Sequence, residues 1–434
     1  MITQLLTASL ALVLVVLLFV IAHRSPRLAV VTALLALCFI PVWIGVGIGF
    51  NGNLFVPLGT LAALACGLAL LPLRGFRFSL VDALLLFLVT LAASSLLTSD
   101  LSLALSFLVT PFAYFVAGYA LGRIASARVG LEFVYAAIAV IVTGVAVLAI
   151  IEFATGWNPF VQWRVGNSLF VAWGELQERG GRLRAEGAFG HSIALGATLA
   201  LAVPITLASR FSFVARLCMT ALLCVATVFT FSRIGIVCAF LGLALCAVFL
   251  RDRLAPRERA ILLGGGAIVA LALLPLVSTV FGEAGDEASN SADYRGDLVP
   301  LLEHANLVGF SDLVHYSATG ALSFGDFQSI DSQLILTGLT NGSLALVAAA
   351  IALVGAVVLV LRGRAEPATI AVVAQIPALA TVALITQYSI TLWLVVGLAA
   401  TSQLSRVPAA VAQPLRLPEF ARHPSLARPT PPGD

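Results

Sequence analysis

The sequence predicts an all-α polytopic membrane protein of about twelve to thirteen transmembrane helices, with a large extracytoplasmic loop. Three observations carry that expectation. Of the 434 residues 60% are hydrophobic and only 10% charged, whereas a soluble domain is about 25% charged, so the chain lacks the polar surface that water requires. Apolar runs of roughly 20 residues, the length a helix needs to cross a hydrocarbon core about 30 Å thick, recur from end to end. Between them, alternate connections are rich in arginine, the pattern expected when basic residues stay on the cytoplasmic side.

Thirteen runs lie near residues 5–22, 28–49, 54–73, 79–97, 103–122, 131–151, 187–208, 212–230, 234–250, 260–281, 343–361, 367–385 and 388–402. The first has no basic segment before it and no small-residue cleavage site after it, so it reads as a retained helix rather than a signal peptide. It closes on Arg24 and Arg27, the third run on Arg74 and Arg77, the fifth on Arg123 and Arg128, and the seventh on Arg210 and Arg216. The ninth closes on Arg251, Arg253, Arg257 and Arg259, the eleventh on Arg362 and Arg364, and the last on a tail with Arg406, Arg416, Arg422 and Arg428. These eighteen arginines are expected inside. The intervening connections hold the other six arginines and fourteen of the twenty-one acids and are expected outside, which leaves the N-terminus outside and the C-terminus cytoplasmic. Residues 1–402 read as a single transmembrane domain with outer loops at 152–186 and 282–342. Residues 403–434 hold seven prolines and read as a disordered cytoplasmic tail.

Composition also excludes chemistry. The formal net charge of +3 is too small to suggest a nucleic-acid partner. All 24 basic residues are arginine, so Schiff-base and lysine general-base mechanisms are ruled out. The six cysteines (Cys38, Cys66, Cys218, Cys224, Cys238, Cys246) fall in apolar runs without a CxxC pair or Cys/His ligand spacing, and read as small core residues with no metal site.

The two long outer loops hold the residues with chemical potential. Loop 152–186 bunches Arg179, Arg182 and Arg184 at its end, around Gly180 and Gly181. Guanidinium forks fit phosphate oxygens and are always charged; the same cluster also fits an Arg/Glu group solvated at the membrane surface. The segment Arg184-Ala-Glu186-Gly-Ala-Phe-Gly-His191 opens the next run. With a helix beginning by Arg184, a spacing of seven puts Arg184 and His191 on one face about 10 Å apart. His191 reads either as a packing element or as an intramembrane functional group. Arg233 follows Ser232 between two apolar runs, where an arginine costs about 2.5–3.5 kcal/mol at helix centre and less near the interface; it calls for an anionic partner, an outer carboxylate or a phosphate. The segment 282–331 carries nine acids and one arginine, Arg295, which fits local pairing with Asp293 or Asp297 or a role at a site. Residues 291–307 read as an amphipathic segment over the membrane mouth, and Asp331-Ser332-Gln333 brings a carboxylate and an amide to its edge.

Together these segments resemble the O-antigen ligase and O-antigen polymerase superfamily. The likeness spans about residues 150–360 and rests on Arg184-Ala-Glu-Gly-Ala-Phe-Gly-His191, Phe231-Ser232-Arg233, Arg295 in a long acidic loop, Val308-Gly309-Phe310 and Asp331-Ser332-Gln333. The resemblance implies a GT-C-like helical glycosyltransferase in the cytoplasmic (inner) membrane. Such an enzyme takes a glycan from an undecaprenyl-diphosphate donor on the outer face and passes it to a glycan or lipid-linked acceptor, with no cofactor. It implies that Arg184, Arg233 and Arg295 hold the pyrophosphate, that Asp331 or His191 is the base, and that Arg182, Glu186 and Gln333 assist. Ligases of the family carry a histidine near the position of Asp331-Ser332, so the departure here favours polymerisation of polysaccharide. The alternative is a transporter or flippase of lipid-linked or anionic precursors, which should place ionisable groups near the bilayer midplane; the runs are nearly charge-free, and Gln375 and Gln387 are their conspicuous polar residues. A third reading is a non-catalytic assembly subunit that keeps only the fold.

Overall fold

A computed structural model of the chain describes residues 2–48, 54–71, 76–98, 111–283, 287–316 and 322–406. It is mostly helical. The helices are α1 (Ile2–Arg24), α2 (Pro26–Phe39), α3 (Leu58–Ala69), α4 (Leu80–Thr98), α5 (Ala117–Val129), α6 (Leu131–Thr155) and α7 (Ser168–Trp173). They continue with α8 (Ser192–Leu207), α9 (Phe213–Phe229), α10 (Arg233–Phe249), α11 (Pro256–Glu283), α12 (Glu287–Leu298) and α13 (Gln333–Asn341). The last are α14 (Ser343–Leu361), α15 (Pro367–Ala374), α16 (Ile376–Thr381) and α17 (Thr386–Arg406). Three antiparallel two-stranded hairpins decorate the connections: β1 (Gly45–Ile48) with β2 (Leu54–Pro57), β3 (Glu178–Arg179) with β4 (Arg182–Leu183), and β5 (Val314–Tyr316) with β6 (Leu322–Phe324).

Among the described residues, three helices are long and apolar enough to cross a membrane: Leu131–Thr155, Pro256–Val280 and Ser343–Leu361. The protein buries 56% of the apolar window of the first but only 6% and 11% of the other two. Leu263, Ile268, Leu271 and Leu274 on α11, and Val347, Ile351 and Val354 on α14, therefore face outward. Apolar faces of that extent are stable only when something other than water covers them, as lipid does.

The core centres on α8, where every residue except Ile193 is buried, with α6, α9, α10, α15 and α17 packed around it. Small residues set the closest approaches. A Cβ on Gly235 of α10 would stand 3.0 Å from the backbone of Gly196 on α8, and one on Gly196 would stand 2.8 Å from Thr230 Oγ1. On α5 and α17, Gly118, Gly122 and Gly397 each lie against backbone carbonyls of the opposite helix.

Several arginine-bearing connections meet at one end of the bundle. Arg123 bonds the Arg77 carbonyl and Thr401 near the end of α17, and Arg253 pairs with Glu132. At the other end, Gln387 near the start of α17 bonds the carbonyls of Ile40 and Ala188, and Trp43 bonds the Trp163 carbonyl. Fourteen residues of helix, about 21 Å at 1.5 Å each, separate Gln387 from Thr401.

Several expected runs are shorter than the apolar sequence suggested. The run 28–49 stops at Phe39, because Ile40 precedes Pro41 and is driven to an extended conformation (φ −96, ψ 118); the chain then enters the β1–β2 hairpin. The run 187–208 becomes α-helical only at Ser192, after a 3₁₀ turn at Gly187–Phe189, since Gly187 and Gly190 take positive φ (56° and 65°). The run 367–385 divides at Gln375 and ends at Thr381; Pro377 has no N–H for the ladder and its ring opposes the carbonyl one turn earlier. The final run extends to Arg406 instead of 402. Residues 407–434 of the expected tail, and residues 103–110 of the fifth run, lie outside the described residues.

Candidate functional site

The end of α6 anchors the return of loop 152–186. Glu152 is buried, and its carboxylate accepts the N–H groups of Glu186 (3.1 Å) and Gly187 (2.8 Å) and the Asn158 amide (2.9 Å). Those three donors fix the strand that carries Arg184. Gly180 and Gly181 both have positive φ (52° and 64°) and form the tight turn of the β3–β4 hairpin.

Arg184 is buried, at 7% exposure. Its backbone N–H donates to the Gln177 carbonyl (3.0 Å), Nε donates to the Thr230 carbonyl (3.0 Å), and Nη1 reaches Gln177 Oε1 (3.4 Å). Arg179 Nη1 donates to the Phe231 carbonyl (2.8 Å). Both guanidinium groups thus meet the C-terminal end of α9, where the carbonyl dipoles favour positive charge. Phe231 sits at φ 46°, a left-handed conformation uncommon for a bulky side chain. Ser232 then caps α10 through its hydroxyl, and half-buried Arg233 is the first residue of that helix. Arg179 and Arg184, both from the loop 152–186, therefore reach the turn at 230–233, whose last residue is Arg233. Arg182 is exposed, directly across the hairpin from Arg179.

Glu186 is 1% exposed and accepts the Gln177 N–H (3.1 Å). Burial, aided by the nearby Glu152 charge and opposed by the Gln177 N–H and Arg184, pushes its carboxyl up to about 8, so it is protonated at pH 7. His191 precedes α8 rather than lying on it, so Arg184 and His191 do not share a helix face; the reversal at 187–190 brings them near each other instead. Burial first, then the charges of Arg184 and Arg179, hold the His191 pKa down to about 4. The ring is neutral at pH 7, packs edge-on against Trp173 (5.5 Å), and accepts the Ile193 N–H at Nδ1 (3.1 Å). In the neutral ring the proton then resides on Nε2, which makes His191 a donor.

Sequence reasoning missed Gln177. Its backbone and amide meet Glu186, Arg184 and Ser192, so one neutral residue links these three. A lone glutamine in a polar loop carries no pattern that could have revealed it.

Residues 298–339 gather a separate apolar core of Leu298, Leu301, Phe324, Ile330, Ile335 and Leu339. Arg295, in the last turn of α12, donates from Nε to the Thr381 carbonyl (3.2 Å). Gln333 donates its backbone N–H to the Val382 carbonyl (3.0 Å) and accepts the Leu384 N–H on Oε1 (2.9 Å). Asp331 is exposed and accepts a bond from Ser329 Oγ (3.1 Å). These residues gather on the turn that follows α16. That helix packs on α10, with Cys238 against the Ala378 backbone, so the turn lies towards the same end of the bundle as Arg233. Among the described residues, no group of three or more His, Cys, Asp or Glu is arranged to hold a metal ion.

Comparison of the chain with protein-family models, with curated proteins and with solved structures returns no match.

Proposed function

We propose that this chain is a multi-pass membrane glycosyltransferase of GT-C-like, twelve- to thirteen-span architecture in the cytoplasmic membrane, with its long loops outside and its C-terminus in the cytoplasm. It takes a glycan from an undecaprenyl-diphosphate-linked donor and extends a polysaccharide, a polymerase-like reaction favoured over ligation. The observation that carries the reading is the reach of Arg179 and Arg184 to the turn at 230–233, which Arg233 closes, at the end of the bundle where Arg295 and Asp331 also lie.

That arrangement suits the chemistry. The acceptor hydroxyl attacks the anomeric carbon, the bond from that carbon to the diphosphate oxygen breaks, and the electron pair leaves on the diphosphate. Arginines fixed by backbone carbonyls stabilise that charge without reorganising. The hydroxyl proton passes to a carboxylate, for which exposed Asp331 is suited. His191, a donor at Nε2, contributes a hydrogen bond; Gln333 holds the loop beneath Asp331, and Glu186, neutral at pH 7, leaves the local positive charge uncancelled.

A second reading, a transporter or flippase of lipid-linked or anionic precursors, draws on the break between α15 and α16. There Gln375 is fully buried and its Oε1 accepts the Tyr388 hydroxyl (2.9 Å), a polar element at an interrupted helix. Purified protein in liposomes with a polyprenyl-diphosphate oligosaccharide separates the readings. Longer glycan on the lipid supports the polymerase, and transfer to a separate acceptor supports a ligase. Movement across the bilayer without new bonds would replace both with the transporter.

A further inference from the structure

The end of the bundle opposite Arg184 holds a cavity of about 490 Å³. It is lined by Arg27, Arg210, Arg253, Glu132 and Glu366 and by the start of α6 at 130–133. Glu132 and Glu152 are twenty residues apart on α6, about 30 Å, so this cavity is remote from the arginines of the outer-face site.

Its charges are unevenly matched. Arg253 Nη1 pairs with Glu132 Oε1 at 2.6 Å, and Glu366 also lies near enough to stabilise the Arg253 charge. One arginine therefore offsets one of the two carboxylate charges. Arg27, lying over the Phe133 ring at 5.4 Å, and Arg210 supply the remaining positive charge, and the lining as a whole is net positive by one.

The backbone adds to it. Gly130 precedes α6 without a side-chain cap, and its carbonyl takes the Val134 N–H (3.2 Å). The N–H groups of residues 131–133 are the first three of a 25-residue helix, and no intrahelical carbonyl can accept them. Residues 131–133 line the cavity, which places the positive end of the helix dipole beside the arginines. Gly130 has φ 88°, and a Cβ there would meet nothing within 4 Å, so there is room beside these donors. Guanidinium forks and helix N-terminal amides share one preferred ligand, a phosphate group. Leu28, next to Arg27, is an exposed apolar residue on which an acyl chain can rest.

We infer that this cavity binds a phosphate group, carried by the headgroup of an anionic lipid or by a soluble phosphate. The inference is independent of the transfer reaction. The test is the thermal unfolding midpoint of the full-length protein in phosphatidylcholine nanodiscs. In one arm phosphatidylglycerol replaces part of the phosphatidylcholine; in the other, inorganic phosphate is added at constant ionic strength. A midpoint that rises by roughly 3 °C near saturation with phosphatidylglycerol alone identifies the lipid headgroup. A rise with inorganic phosphate identifies a soluble ligand. In either case the rise is expected to vanish in Arg27→Ala/Arg210→Ala. Glu366→Gln, which removes a repelling charge, is expected to tighten the apparent affinity severalfold, a gain that damaged folding cannot mimic. No rise in the wild-type protein overturns the inference, as does an unchanged response in both variants.

Discussion

Replacing Arg123 by alanine is expected to destabilise the helical bundle by about 3–5 kcal/mol, the cost of removing one partner from a buried ion pair. Arg123 and Asp82 are 4% and 9% exposed. The guanidinium donates from Nε to Asp82 Oδ1 (2.9 Å) and from Nη2 to Oδ2 (2.8 Å), a bidentate geometry, and also holds the Arg77 carbonyl (2.8 Å) and Thr401 Oγ1 (3.0 Å). Through these bonds it ties α4 to α5 and α5 to α17. Alanine leaves the Asp82 carboxylate with the Tyr119 hydroxyl and the Ser79 N–H but no countercharge. Asp82→Asn/Arg123→Leu removes both charges, and is expected to recover most of the loss, because a neutral pair has no ion to desolvate. The assay is a double-mutant cycle on unfolding of the purified protein in detergent. An Arg123→Ala variant within about 0.5 kcal/mol of wild type, the range of ordinary surface substitutions, would refute the assignment of a buried, unsolvated pair.

Alanine at Arg184 or Arg233 is expected to lower glycan transfer about 10²–10³-fold, the effect of removing one preorganised donor to developing charge; Arg295→Ala is expected to act in the same direction, with folding checked by unfolding midpoint in each case. For Glu186, burial raises the folded pKa from 4.5 to about 8, so between those values the folded chain keeps a proton that the unfolded chain gives up. Stability therefore falls as pH rises from about 4.5 to 8, and Glu186→Gln is expected to flatten that slope in unfolding measured across the window. His191 has the opposite sign: with a folded pKa near 4 against 6.5, its contribution is complete above 6.5 and is lost as pH falls towards 4, a decline absent from His191→Gln. Gly235→Val is expected to cost about 1–3 kcal/mol by overpacking, since its Cβ would press on Gly196; an unchanged unfolding midpoint would show that α8 and α10 can separate freely.

The helical character was legible because it depends on local composition: uninterrupted apolar runs with no polar surface to face water can become little else. The ends of those helices were less legible. Pro41, Gly187, Gly190 and Pro377 lie inside apolar stretches, where hydropathy counts them as continuation although their backbone preferences end or divide a helix. Arg184, Arg233 and Arg295 stood out because charge is scarce and these arginines break the alternation of sides. Arg179 stood in the same cluster, but its companion Gln177 did not stand out, being an ordinary polar residue in a loop.

Sequence alone determined the apolar character, the absence of lysine chemistry and the small set of charged residues open to function, since each follows from residue type and local order. Tertiary structure decided which of those residues meet. Arg184 reaches Thr230 and Arg179 reaches Phe231 across 46 and 52 residues, and Arg295 reaches Thr381 across 86, contacts that exist only after the helices pack and the loops reverse. It also decided charge state: Glu186 and His191 are neutral at pH 7 because the fold withdraws them from water, a cost that depends on surroundings no single residue encodes.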